Sequence, residues 1–228
     1  MIDNRVTFYK GIVLLVCFTI VLCLIFSPIF NNRNGLEYLD DLYNSISKGS
    51  ACYIPKLQKE IKAFKGKSIT MNLKMESGVQ ARQIADLIQK AGARAQAAGT
   101  DLKIEGSLGN ILDSCLKDAD LMYMNNGSRI RAKYGVNERK IIYNWWVAAN
   151  LMDKELKKQK LFKEALIVTN IKTKGLETSY NYYKIEPQKI SAKWGIVLFS
   201  LIFYIIYTIW YGFAIMFLFE GWGLRLDH

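Results

Sequence analysis

A single histidine stands in this chain of 228 residues, and it is the last one, His228. That scarcity removes whole classes of chemistry. A zinc set of histidine and cysteine, a serine–histidine pair inside the fold and a histidine-ligated haem cannot be assembled from this chain alone. Cysteine is also scarce: there are four, none spaced C-x-x-C. A redox dithiol and a C-x-x-C-H haem attachment are therefore absent. So are the phosphate-cradling G-x-x-x-x-G-K-[ST] loop and the G-x-G-x-x-G fingerprint. The carboxylates fall in two groups, Glu37/Asp40/Asp41 and Asp113/Asp118/Asp120, neither with calcium-loop spacing. Asp113, Asp118 and Asp120 are expected on the solvated face of a helix whose apolar stripe points elsewhere. No catalytic residue, metal or cofactor is expected.

What is present is apolar length. Residues 11–30 run for 20 positions without a charge, and residues 195–219 for 25. About 20 such residues cross the ~30 Å of hydrocarbon in a bilayer, so each run is read as a transmembrane helix. The first resembles a secretory signal in its basic start, Arg5 and Lys10. Its apolar centre is too long, however, and its exit, "LIFSPIFNN", lacks small residues for cleavage. It is expected to remain as an anchor. Pro28 helps to end the helix, with Asn31, Asn32, Asn34 and Gly35 supplying turn chemistry. The expected organisation is an N-terminal tail (1–10), a first span (11–30), a domain (31–193), a second span (194–219) and a C-terminal tail (220–228).

Arg5 and Lys10 precede the first span, and only Arg33 closely follows it. That bias favours cytoplasmic termini and an extracytoplasmic domain, hence the inner membrane and periplasm of a bacterium. Lys184, Lys189 and Lys193 pull the other way but belong to a long translocated segment, which weighs little. Nearly all of the net charge of +11 sits in the middle: residues 33–189 hold 27 Lys and Arg against 17 Asp and Glu, a net of +10. A basic face near a bilayer attracts anionic headgroups or an acidic partner. A nucleic-acid motif is absent, and no nucleic-acid partner is expected.

Inside the domain, residues 36–47 and 53–64 carry helical stripes. "SITMNLKM" (68–75) alternates as a half-buried strand. "GVQARQIADLIQKAG" is a helix with Val79, Ile84, Leu87 and Ile88 inward. "ARAQA" and "DLKIEG" are strands about a turn at Gly99, and residues 107–127 form a further helix. This strand–helix–strand–strand–helix order is an α+β, βαββα, ferredoxin-like pattern with additional long helices; such a fold does not fix a function. Residues 137–173 read as helix, N-capped by Asn137, with Ile141, Trp145, Ala148, Met152 and Leu156 in phase.

Two features suggest partners. In "YNWW", either Trp145 or Trp146 packs inward, and an exposed one would anchor a partner. In the second span, Ser200, Tyr204, Tyr207 and Tyr211 step by four, three and four, with Thr208 beside them. Hydroxyls in hydrocarbon need partners, and the first span offers only Thr19, so part of this stripe is expected to face another subunit or a second copy. Cys52 and Cys115 could form a disulfide in an extracytoplasmic domain, although Cys115 lies on an apolar stripe that suits a free thiol. The expectation is a non-catalytic accessory or scaffolding subunit of a membrane complex. The alternative is a ligand- or lipid-binding, transport-accessory membrane protein, with a pocket near Trp145/Trp146 and Tyr182/Tyr183. An enzyme using carboxylates alone comes third.

Overall fold

A computed structural model describes residues 2–30 and 32–224. Met1, Asn31 and residues 225–228, His228 among them, lie outside the described residues. The chain divides into two compact units, residues 1–49 with 186–228, and residues 50–185.

The first unit is built on two apolar helices, α1 (Arg5–Phe26) and α10 (Ile190–Gly221), joined to the amphipathic α2 (Gly35–Ser50). Both α1 and α10 are long and apolar enough to cross a membrane. Each starts earlier than its uncharged run, since a helix continues through flanking charged residues where its backbone is capped. Asn4 accepts the Thr7 amide and caps α1. The first helix also ends four residues before the expected boundary. Ser27 precedes Pro28, and the proline ring pushes it into extended backbone (φ −77°, ψ 144°). α10, at 32 residues, is ~48 Å long. Among α1 side chains only Phe18 is buried; on α10 only Ser200 and Ala214 are. The remaining apolar surface faces outward, as on helices immersed in lipid.

The second unit is α+β. Its strands β1 (Ser68–Lys74), β2 (Arg94–Ala98) and β3 (Asp101–Ser107) form one antiparallel sheet in the order β1-β3-β2. Ile69 faces Gly106 and Leu73 faces Leu102 across β1 and β3. One sheet face, carrying Ile69, Met71, Leu73, Ala95, Leu102 and Ile104, is buried. α4 (Gly78–Lys90) links β1 to β2, and α5 (Leu108–Tyr123) follows β3. The remaining helices are α3 (Ile54–Glu60), which runs into a 3-10 turn, α6 (Gly127–Tyr134), α7 (Glu138–Lys158), α8 (Phe162–Asn170) and the four-residue α9 (Thr178–Asn181), with a π-helical segment (Ile171–Glu177) between the last two.

Three expectations need correction, and two elements come unannounced. Val79 is 55% exposed rather than inward. Gly78 is the residue that presses on the hairpin, where a Cβ would come 2.9 Å from the Gly99 carbonyl, and one step of 100° turns Val79 away. The 137–173 helix is two helices: Leu161 N–H bonds to Leu156 O and Lys160 N–H to Lys157 O around a left-handed Lys160 (φ 61°). That is a Schellman stop. α6 and the π segment carry no strong apolar period and were not expected. Finally, Asp118 is not solvated but fully buried, because α6 and α7 cover that side of α5.

Candidate functional site

The two apolar helices run antiparallel and touch most closely near the start of α1. A Cβ at Gly11 would lie 2.7 Å from the Leu218 amide nitrogen and 3.0 Å from the Ala214 carbonyl, and one at Gly221 would strike the Phe8 backbone. Small residues thus set the close approach. Farther along, Phe18 fills the interface. Its ring centroid is 4.3 Å from that of Tyr207, 5.2 Å from that of Tyr211 and 6.4 Å from that of Trp210. The Trp210 indole N–H donates to the Leu14 carbonyl at 3.1 Å.

Beyond Phe18 the helices part. α2 turns back beside the end of α1, with Gly35 against the Ile25 carbonyl and Tyr38 stacked on Phe30 (5.4 Å). Its other end meets the start of α10: the Gln188 amide donates to the Ser45 carbonyl at 3.0 Å. Tyr43 Oη lies 2.6 Å from Ser200 Oγ. Because Ser200 donates its own proton to the Val197 carbonyl, the Tyr43 hydroxyl is the donor to Ser200. The three helices leave a half-open groove of about 1000 Å³, lined by Leu22, Ile25, Leu39, Ile196, Phe199 and Phe203 together with the hydroxyl stripe.

The five stripe residues meet different fates. Ser200 is satisfied by Tyr43 of α2, a partner 157 positions away that local spacing does not reveal. Thr208 donates to the Tyr204 carbonyl of its own helix at 2.7 Å. Thr19, on α1, is likewise spent on the Leu15 carbonyl. Tyr207 presents its ring to Phe18 and Phe203. Tyr204 is 68% exposed and Tyr211 is 48% exposed. Among the described residues, no group accepts from or donates to the hydroxyls of Tyr204, Tyr207 and Tyr211.

The soluble unit buries four acids, Asp118, Glu138, Asp153 and Glu164, and the first two sit in networks that join α5, α6 and α7. Asp118 Oδ1 accepts from Lys133 (2.8 Å), and Oδ2 accepts from Tyr134 (2.5 Å) and the Trp145 indole (2.9 Å). Trp145 is thereby a core residue, 1% exposed; Trp146 is the half-buried member of the pair. Glu138 accepts from Arg131 at 3.0 and 2.7 Å and from Tyr183 at 2.9 Å. The Arg131 hydrogen bond is the largest of the effects that hold the Glu138 carboxyl down to about 2. Burial, followed by the hydrogen bond to Asp118, raises the Tyr134 phenol. Burial, with the Asp118 charge behind it, also raises the Cys115 thiol and keeps it protonated. These groups fasten α5, α6 and α7 together, and every one of them is consumed in structure. Cys52 is exposed and Cys115 buried, both free thiols. Among the described residues, no cluster of three His, Cys, Asp or Glu side chains is placed to hold a metal.

No protein-family model matches the chain, and no curated protein or solved structure resembles it significantly.

Proposed function

We propose that the protein is a non-catalytic accessory subunit of a bacterial inner-membrane complex, anchored by two spans, with both termini cytoplasmic and its basic domain (31–193) periplasmic. The domain, read as a ferredoxin-like module, serves as a scaffold. The groove receives a transmembrane helix from a neighbouring subunit or a second copy. The observation that carries this reading is the set of three tyrosine hydroxyls without partners. Tyr204, Tyr207 and Tyr211 lie in the central part of α10, where the bilayer supplies neither donor nor acceptor. A helix seated there would offer both, while the aromatic row supplies the packing.

Gentle solubilisation and mass measurement test it. The expected particle is heavier than one 26.1 kDa chain. Replacing all three tyrosines by phenylalanine should weaken the association, since interhelical hydrogen bonds of ~0.6 kcal/mol each sum to about 2 kcal/mol. A lone chain in mild detergent would refute the reading. The mostly apolar lining favours a second one, an acyl chain in the groove with an anionic headgroup beside Lys189 and Lys193, which continue the Ile196–Ser200 face toward the helix start. Native mass spectrometry separates the two: a bound lipid mass on a monomer supports the second, a protein mass the first.

A further inference from the structure

The soluble unit carries a separate feature that the groove does not involve. Residues 171–177 wind as a π-helix, a rare conformation that is frequent at functional sites. It brings Leu176 and Glu177 opposite α7, where the Trp146 indole N–H donates to Glu177 Oε1 at 2.8 Å. Tyr143, one turn earlier on α7, stacks on Trp146 with centroids 6.2 Å apart and planes within 15°, and it remains 49% exposed. Ile142, Tyr143, Trp146, Leu176 and Tyr180 enclose an apolar slot of about 190 Å³. Sites for small molecules run from ~300 to 1,000 Å³, so this one suits a single side chain.

Its rim is cationic. The Arg139 guanidinium lies 5.2 Å from the Tyr180 ring centroid, and the Lys172 ammonium 5.8 Å from that of Trp146. Lys172 donates to Asn150, and among the described residues neither cation has a carboxylate in an ion pair. Glu177 is the one acid in the lining, and the indole occupies its Oε1. The surrounding unit has 24 Lys and Arg against 13 Asp and Glu, a net of +11.

We propose that this slot docks an acidic peptide segment of a partner protein. One large apolar side chain enters between Tyr143 and Tyr180, and flanking carboxylates meet Arg139 and Lys172. From Arg139 to Asn150, beside which the Lys172 ammonium is held, α7 rises ~16 Å. An extended chain covers that in about five residues, so the two acids stand some five positions apart with the anchor between them. An exposed aromatic wall with charged groups at its edge is the composition of binding hot spots, and the charges add attraction at long range.

The test uses the full chain in a neutral detergent and a fluorescein-labelled peptide with aspartates five positions apart and a central tryptophan, read by anisotropy. Binding should fall at least tenfold when glycine replaces the tryptophan, and likewise when asparagine replaces both aspartates. Tyr143→Ser and the double variant Arg139→Gln/Lys172→Gln should lose binding to the same degree with unchanged circular dichroism, while Arg139→Lys retains it. Lys154→Gln/Lys158→Gln, elsewhere on α7, should change it less than twofold. No binding of the parent peptide, equal binding of either control peptide, retention by the slot variants, or an equal loss from the Lys154/Lys158 pair would each overturn the proposal.

Discussion

Asp118 shows how one buried residue changes the reading of a helix. Ile111, Cys115, Asp118 and Met122 step by four, three and four and are all buried, so the solvated-face expectation for Asp118 overlooked its place on the apolar stripe, where Lys133, Tyr134 and Trp145 supply three donors from other helices. Removing the acid leaves an ammonium, a phenol and an indole without their acceptor. Asp118→Ala should therefore cost about 3 kcal/mol or more, measurable as a lower guanidinium midpoint with loss of near-ultraviolet circular dichroism from Trp145. Glu138 makes a pH prediction. Its folded carboxyl titrates at about 2, below the ordinary value of 4.5. Its contribution is thus complete above the unfolded value and disappears as pH falls from about 4.5 through about 2. Glu138→Gln should flatten the stability profile in that window, tracked by thermal melts at stepped pH.

At the level of elements, the periodic segments were legible and the stops were not. β1 alternates buried and exposed residues as its sequence does, and α4 keeps Ile84, Leu87 and Ile88 inside. The break between α7 and α8 was hidden because a lysine holds the left-handed position that glycine usually marks. Lys160→Gly should relieve that conformation and raise stability by about 1 kcal/mol, seen as a higher urea midpoint with an unchanged slope. In the helix pair, closeness rests on glycine. Gly11→Leu should separate α1 from α10, and disulfide trapping between cysteines placed at Leu14 and Trp210 should then fall from efficient to negligible. The groove was only half legible: the hydroxyl stripe follows from spacing, whereas its closure by Tyr43 depends on α2 lying beside the end of α1, which no periodicity encodes.

For the whole molecule, the division of character between the units matters most. The net charge of the 50–185 unit equals that of the entire chain, so residues outside it are balanced as well as apolar. The proposed orientation can be checked with a native handle, since Cys52 is exposed while Cys115 is buried. In intact spheroplasts a membrane-impermeant maleimide should modify Cys52, and Cys52→Ser should abolish the label. Modification only after lysis would place the basic unit in the cytoplasm and reverse the topology.

The anchor pair also behaves as a pair of tongs. Its arms are clasped where Gly11 and Gly221 allow backbone contact, and they spread on the far side of Phe18, which acts as the fulcrum. The opening starts at that one aromatic ring, and the Tyr43–Ser200 bond ties the α10 arm to α2, which walls the remaining side. Trimming Phe18 to a smaller side chain should therefore reshape the groove from its closed end, where that ring forms part of the lining.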